Sequence, residues 1–204
     1  MENRIAKIIS YIFHPVFMPA YSLLLLFNLK SFFNFELEFK SKLILLGFVL
    51  ITTVVFPLLI VLLMKRQGFI QSYQMETRQE RRFPYLITAI FYFLAYNMFR
   101  QMHLPDMYIF SMMGAAALLV IVIIVNLWWK ISTHMVGMGG VFGLITGLSL
   151  KLGIDMTFII AAIMLVSGIV GYARLRSGSH KPAEIYTGFL TGAVVMFAIF
   201  NYFL

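Results

Sequence analysis

The chain contains no cysteine. Disulfides, thiolate metal sites and cysteine nucleophiles are therefore excluded, and the sequence carries no trace of a redox compartment. Charge is scarce too: 12% of the residues are Asp, Glu, Lys or Arg, about half the share of a soluble domain. Internal repeats and low-complexity segments are absent. No set of short alternating segments is present, which excludes a membrane barrel. What the chain has in quantity is apolar side chains, at 61% of 204 residues with a mean hydropathy of +0.91. That composition excludes an ordinary soluble globule, a disordered chain and a secreted disulfide scaffold.

About 20 apolar residues cross a hydrocarbon core as a helix, so the chain has room for six or seven crossings and no separate soluble domain. The runs predict crossings at 9–27, 43–64, 84–99, 107–128, 135–150, 156–173 and 185–203. Lipid-exposed backbone must satisfy its own hydrogen bonds, so these are helices. The expected fold is an all-α integral membrane bundle of six to seven transmembrane helices, one domain over residues 1–204. The first run is longer than a signal-peptide core and lacks a small-x-small cleavage site, so it is expected to stay as a crossing. Pro15 and Pro19 should kink or delay that helix. His14, between them and the first polar stretch, reads first as a headgroup-level histidine and second as a site residue. Gly137, Gly139, Gly140, Gly143 and Gly147 lie within the fifth crossing. They have no preceding strand to make a nucleotide loop, and read as a close-packing helix face.

Seven crossings send alternate loops to opposite faces. One face collects the N-terminus and the segments 65–83, 129–133 and 174–184, and with them nearly all the distinctive polar chemistry. Three patterns stand out there. Residues 76–85 read ETRQERRFPY, with Arg78, Arg81 and Arg82 running into Pro84, a residue suited to a first helical turn. Residues 128–137 place Ser132 and His134 just before a helix, where free N–H groups favour an anion. Residues 173–184 place Arg174 at the end of the sixth crossing, His180 after a Ser-Gly-Ser turn and Glu184 at the start of the seventh. The other face has His103 and Asp106, with no comparable cluster around them. Together these parts suit phosphoryl transfer. Arginines match phosphate oxygens as bidentate donors, a neutral histidine can attack phosphorus, a second can protonate the departing oxygen, and a carboxylate can hold the nucleophile's other nitrogen. No metal or other cofactor is required.

With these residues in view, the chain resembles the type 2 phosphatidic acid phosphatase superfamily of membrane lipid phosphatases. The family's third motif is Ser-Arg, five residues, His, three residues, Asp; here it reads Ala173-Arg174, five residues, His180, three residues, Glu184. The second motif, Pro-Ser-Gly-His, appears as Ile131-Ser132-Thr133-His134. The first, Lys, six residues, Arg-Pro, is represented in character but not spacing by Arg78, Arg81, Arg82 and Pro84. The resemblance covers about 78–204, which makes that stretch the motif-bearing core. It implies that His180 is the nucleophile of a phosphohistidine intermediate, that His134 protonates the leaving group, and that Glu184 orients His180. It implies that Arg174 and Ser132 hold the phosphate, with Arg78 and Arg82 favoured as the first-motif cations. The implied substrate is a lipid phosphate or diphosphate: a polyprenyl diphosphate first, with phosphatidylglycerol phosphate, phosphatidate and lipid A also open. Membrane lipids are the other expected partners, and nucleic acid is not one.

Two rival readings follow from the same residues. His134, His180 and Glu184, with His14, could form a two-histidine, one-carboxylate metal site, although the neighbouring arginines would repel a cation. A transporter or non-catalytic lipid-phosphate binder would also use a basic pocket, but transporters more often carry repeats and midplane polar groups. Orientation is contested. The motif face carries eleven of sixteen Lys and Arg, which points to the cytoplasm. Resemblance to bacterial members implies a site on the outer face of a cytoplasmic membrane.

Overall fold

The structure is a computed structural model and describes residues 2–29, 37–71 and 77–204, without the side chains of Glu2, Asn3 and Arg78. Every regular element among them is helical: α1 (Glu2–Ile12), α2 (Met18–Asn28), α3 (Phe39–Leu50), α4 (Phe56–Arg66), α5 (Arg78–Gln101), α6 (Asp106–Asn126), α7 (Thr133–Leu152), α8 (Thr157–Arg176) and α9 (Pro182–Tyr202). Six stretches of the described residues are long and apolar enough to cross a membrane: 4–28, 39–66, and the whole of α6, α7, α8 and α9. The protein is an integral membrane protein with an all-α fold. Helix α5 is the seventh long helix. Its 24 residues reach about 36 Å, and it is not among the six apolar spans.

The first crossing is two helices. Pro15 and Pro19 break it, and a 3₁₀ turn at Pro15–Phe17 links α1 to α2. A break inside an apolar stretch frees backbone carbonyls that lipid cannot satisfy. The Thr53 hydroxyl repairs one of them, donating to Val16 O at 3.2 Å. Thr53 lies in a wide π turn, Ile51–Val55, that joins α3 to α4 into one continuous helix.

The expected start of the third crossing at Pro84 is corrected by six residues. Helix α5 starts at Arg78 because Thr77 caps it: Thr77 Oγ1 accepts from Glu80 N at 3.3 Å and Glu80 Oε2 accepts from Thr77 N at 3.4 Å. Pro84 lies inside the helix. The arginines are therefore on a helix and not in a loop, and consecutive ones point about 100° apart.

Helix α7 is the most enclosed span and packs most closely against α9. Gly139, Gly143 and Gly147 form the contact face of α7, and Gly188 and Gly192 that of α9. A Cβ on Gly139 would fall on the Phe189 carbonyl, and one on Gly192 on the Val136 carbonyl. Between helices in lipid there is little hydrophobic drive, so close backbone packing of small residues carries the association. Bulky apolar side chains on α4, α5, α8 and α9, such as Leu59, Phe93, Leu165 and Leu190, remain exposed and face lipid.

Candidate functional site

The α7–α9 pair fixes the geometry from which the site is built, because both helices begin at the same end of the bundle. Ser132 N–H donates to Glu184 O at 3.2 Å and ties the start of α7 to the start of α9. The end of α8 meets them there. Arg174 lies in its last turn, after which the helix is closed by Gly178, left-handed at φ +66. Gly178 N bonds Leu175 O at 3.0 Å and Ser179 N bonds Arg174 O at 3.2 Å. This glycine-dependent cap reverses the chain within three residues and delivers His180 to the same end as Arg174.

His180 and Glu184 are both buried. His180 Nδ1–H donates to Glu184 Oε2 at 2.7 Å, and Lys181 N–H donates to the same carboxylate oxygen at 3.2 Å. The carboxylate fixes the tautomer and leaves the Nε2 lone pair of His180 free. Burial pushes the His180 imidazole below the usual histidine range; the Glu184 hydrogen bond opposes this, and Arg174 and Arg81 reinforce it. The unprotonated ring is the favoured form at neutral pH.

His134 is the second residue of α7, not a residue preceding it. Its Nε2–H donates to the Ser10 carbonyl at 3.1 Å. Arg174 Nη1–H donates to Ser10 Oγ at 3.2 Å, while its buried Nε–H makes no hydrogen bond. One residue of α1 thus holds both groups, one through its backbone and the other through its side chain. His14 also belongs to this cluster, its ring edge-on to His134 with centroids 5.3 Å apart. Its reading as a headgroup-level histidine is corrected: the break in the first crossing turns it inward.

A cavity of about 1470 Å³ opens at this end. Its wall includes Arg81, Arg174, His14, His134 and His180. From there it runs inward along Arg81, Tyr85, Thr88 and Tyr92 of α5, one face at helical spacing. On α6 the wall extends from Val122 to Ser111, about 16 Å of helix. Its inner walls are mostly apolar, formed by residues such as Leu118, Leu119, Val141 and Met196.

The predicted site residues separate as follows. Arg174, His134 and His180 come together on the cavity wall, and Glu184 stands behind His180 as its partner. Ser132 is fully buried and absent from the wall, and its Oγ makes no hydrogen bond. Its backbone is engaged with α9 through the Glu184 carbonyl and the close approach of Gly188. The neighbouring Thr133 lines the cavity instead. Of the arginines on α5, Arg81 is buried on the wall and Arg82 is exposed away from it. Arg81, and not the favoured Arg82, is thus the arginine of the two that lines the cavity, and the Arg78 side chain lies outside the described residues. His103 follows α5, a helix length of about 30 Å from Arg81. Among the described residues no group of three His, Asp or Glu side chains converges to hold a metal ion. Ser10, Lys7 and Thr133 were not foreseen. Ser10 acts partly through its backbone carbonyl, a group with no signature in sequence.

No protein-family model, curated protein or solved structure matches this chain.

Proposed function

We propose that the protein is a membrane lipid phosphatase working through a phosphohistidine. The observation that carries this reading is the single cavity with two chemistries: Arg81, Arg174, His134 and His180 at its opening, and apolar walls running inward from them. A phosphate ester on a long apolar tail matches both parts. The two guanidiniums would take the phosphoryl oxygens. His180 Nε2 would attack phosphorus, forming the P–N bond as the P–O bond to the lipid breaks. The departing lipid oxygen would take a proton from His134. Since Nε2–H of His134 is held by the Ser10 carbonyl, the neutral ring has no proton on Nδ1; the proton transferred would be one taken up on Nδ1 together with the anionic substrate, from the imidazolium so formed. Water would then attack phosphorus, giving its proton to His134, and the P–N bond would break to restore neutral His180 and release inorganic phosphate. Glu184 positions His180 throughout.

The test is phosphate release by purified protein from a panel of lipid mono- and diphosphates, in the presence of EDTA. Turnover that survives the chelator is expected. Loss restored by one added divalent metal would overturn the arginine-based mechanism. Lipid binding with no phosphate release would identify a non-catalytic binder.

The proposed setting is a bacterial cytoplasmic membrane with the site on its outer face, supported by the resemblance to bacterial lipid phosphatases. The absence of native cysteine makes this directly measurable. Ser177→Cys, at an exposed position beside Arg174, should react in intact cells with a membrane-impermeant maleimide. Labelling only after lysis would place the site in the cytoplasm.

A further inference from the structure

One imidazole on the cavity wall has no part in the mechanism above. His14 is half-buried there, in a stretch of chain outside the motif-bearing core. Its backbone is pinned. A residue before proline is driven out of the α region, and His14 is extended, at ψ 139°, ahead of Pro15. Its N–H donates to Tyr11 O at 3.3 Å, and its carbonyl accepts from Phe17 N at 2.9 Å. The ring stands edge-on to His134 with centroids 5.3 Å apart. Arg174 is near enough to act electrostatically on His14, His134 and His180 alike. A neutral imidazole has one N–H to give. His180 gives its own to Glu184, and His134 gives its own to the Ser10 carbonyl. Among the described residues neither ring nitrogen of His14 makes a hydrogen bond; its ring contact is with His134. Of the three imidazoles on the wall, His14 is thus the one whose N–H is available to a ligand while the ring is neutral.

From this we infer that His14 is a further ligand-contacting residue of the site: its imidazole N–H donates to an oxygen of the phosphoryl group held beside Arg174. This rests on the phosphatase reading only for placing a phosphate there. A donor to an ionised oxygen makes one of the stronger hydrogen bonds a protein offers, and this one needs no proton transfer and no change in the other two histidines. The competing role for His14 is packing alone, an aromatic edge against the His134 ring. The two roles differ in one atom. Packing needs the ring, whereas the phosphate contact needs the N–H.

The test uses the full-length protein in a mild, phosphate-free detergent and two probes, a long-chain alkyl phosphonate and the matching alcohol. His14→Phe keeps an aromatic ring beside His134 and removes the N–H. It is expected to bind the phosphonate roughly tenfold or more weakly than the unaltered protein, since a hydrogen bond to a charged group is worth about that much. Its affinity for the alcohol is expected to stay, which also shows that the variant is folded. A second measurement needs no altered protein to bind: with isotope-labelled histidine, the His14 ring resonance of the unaltered protein should move on adding phosphonate and stay on adding alcohol. Unchanged phosphonate affinity in His14→Phe overturns the inference, and so does a His14 resonance that ignores the phosphonate. An equal loss for both probes overturns it as well, because the effect would then lie in the shape of the cavity. So does a failure of the unaltered protein to bind the phosphonate. Phosphonate binding that depends on His14, with no phosphate release from any lipid phosphate, would uphold the contact and refute the phosphatase. Phosphate release by the unaltered protein, with phosphonate affinity unchanged in His14→Phe, would do the reverse.

Discussion

His180→Ala is expected to abolish phosphate release and to leave no acid-labile phosphate on the protein after a rapid quench with labelled lipid. Deleting the nucleophile of the proposed covalent mechanism costs roughly 10⁴–10⁶-fold, and of the three histidines on the cavity wall His180 is the one held by a carboxylate. His134 is tied to the Ser10 carbonyl through Nε2, and Glu184 is committed to His180 and the Lys181 N–H. Label that persists in His180→Ala, or full activity in that variant, would assign the nucleophile to another group.

The pH profile tests the same assignment with a definite sign. In the proposed mechanism His180 attacks only when neutral, so activity should be lost as pH falls through its pKa. Burial, reinforced by Arg174 and Arg81, holds that pKa below the ordinary histidine value of about 6.5. The acid limb of kcat/KM should therefore lie below that value. Two substitutions should move it in opposite directions. Arg81→Gln removes a cation that disfavours the imidazolium, so the limb should rise. Glu184→Gln removes the group that favours the imidazolium, so the limb should fall further. Loss of the orienting carboxylate should also slow turnover, by up to about 10⁴-fold where a reacting histidine is left in the wrong tautomer.

The membrane fold was legible because its signal is compositional: long apolar runs separated by polar breaks mark the spans whatever the packing. The Arg174–His180–Glu184 spacing was legible for a local reason. A glycine-closed helix end, a short turn and a new helix start fix those three residues within eleven positions of chain. The arginines were harder. Choosing between Arg81 and Arg82 requires the register of α5, and taking Pro84 as its first turn left that register undefined. The Thr77–Glu80 capping pair was present in the sequence and would have started the helix at Arg78. Ser132 was misplaced because the motif comparison assigns a residue to a loop but not to one side of it. The contribution of α1 could not be read at all. It depends on a backbone carbonyl and on a tertiary approach of residues 10 and 134, which no local pattern encodes.

Gly192→Ala is expected to do more damage than any single substitution on the lipid-facing surface, although it adds one methyl group. Alanine normally improves a helix over glycine by about 1 kcal/mol. Gly168→Ala in α8 should show that gain or no change, because a Cβ there meets nothing within 4 Å. At Gly192 the same methyl would overlap the Val136 carbonyl oxygen and lie 2.6 Å from Gly140 N. Both obstacles are backbone, so no rotamer change relieves them and α7 and α9 must separate. Overpacking of a tight interior costs about 1–3 kcal/mol and sometimes more, and the absence of a flexible neighbour puts Gly192 at or above the top of that range. The cost reaches the site, because α7 carries His134 while the start of α9 carries Glu184 behind His180. The Ser132 N–H to Glu184 O bond spans the same interface. Thermal unfolding in a mild detergent should give a lower midpoint for Gly192→Ala and an unchanged or higher one for Gly168→Ala. Equal midpoints for the two variants would mean that the α7–α9 pair is not packed backbone to backbone through its glycines.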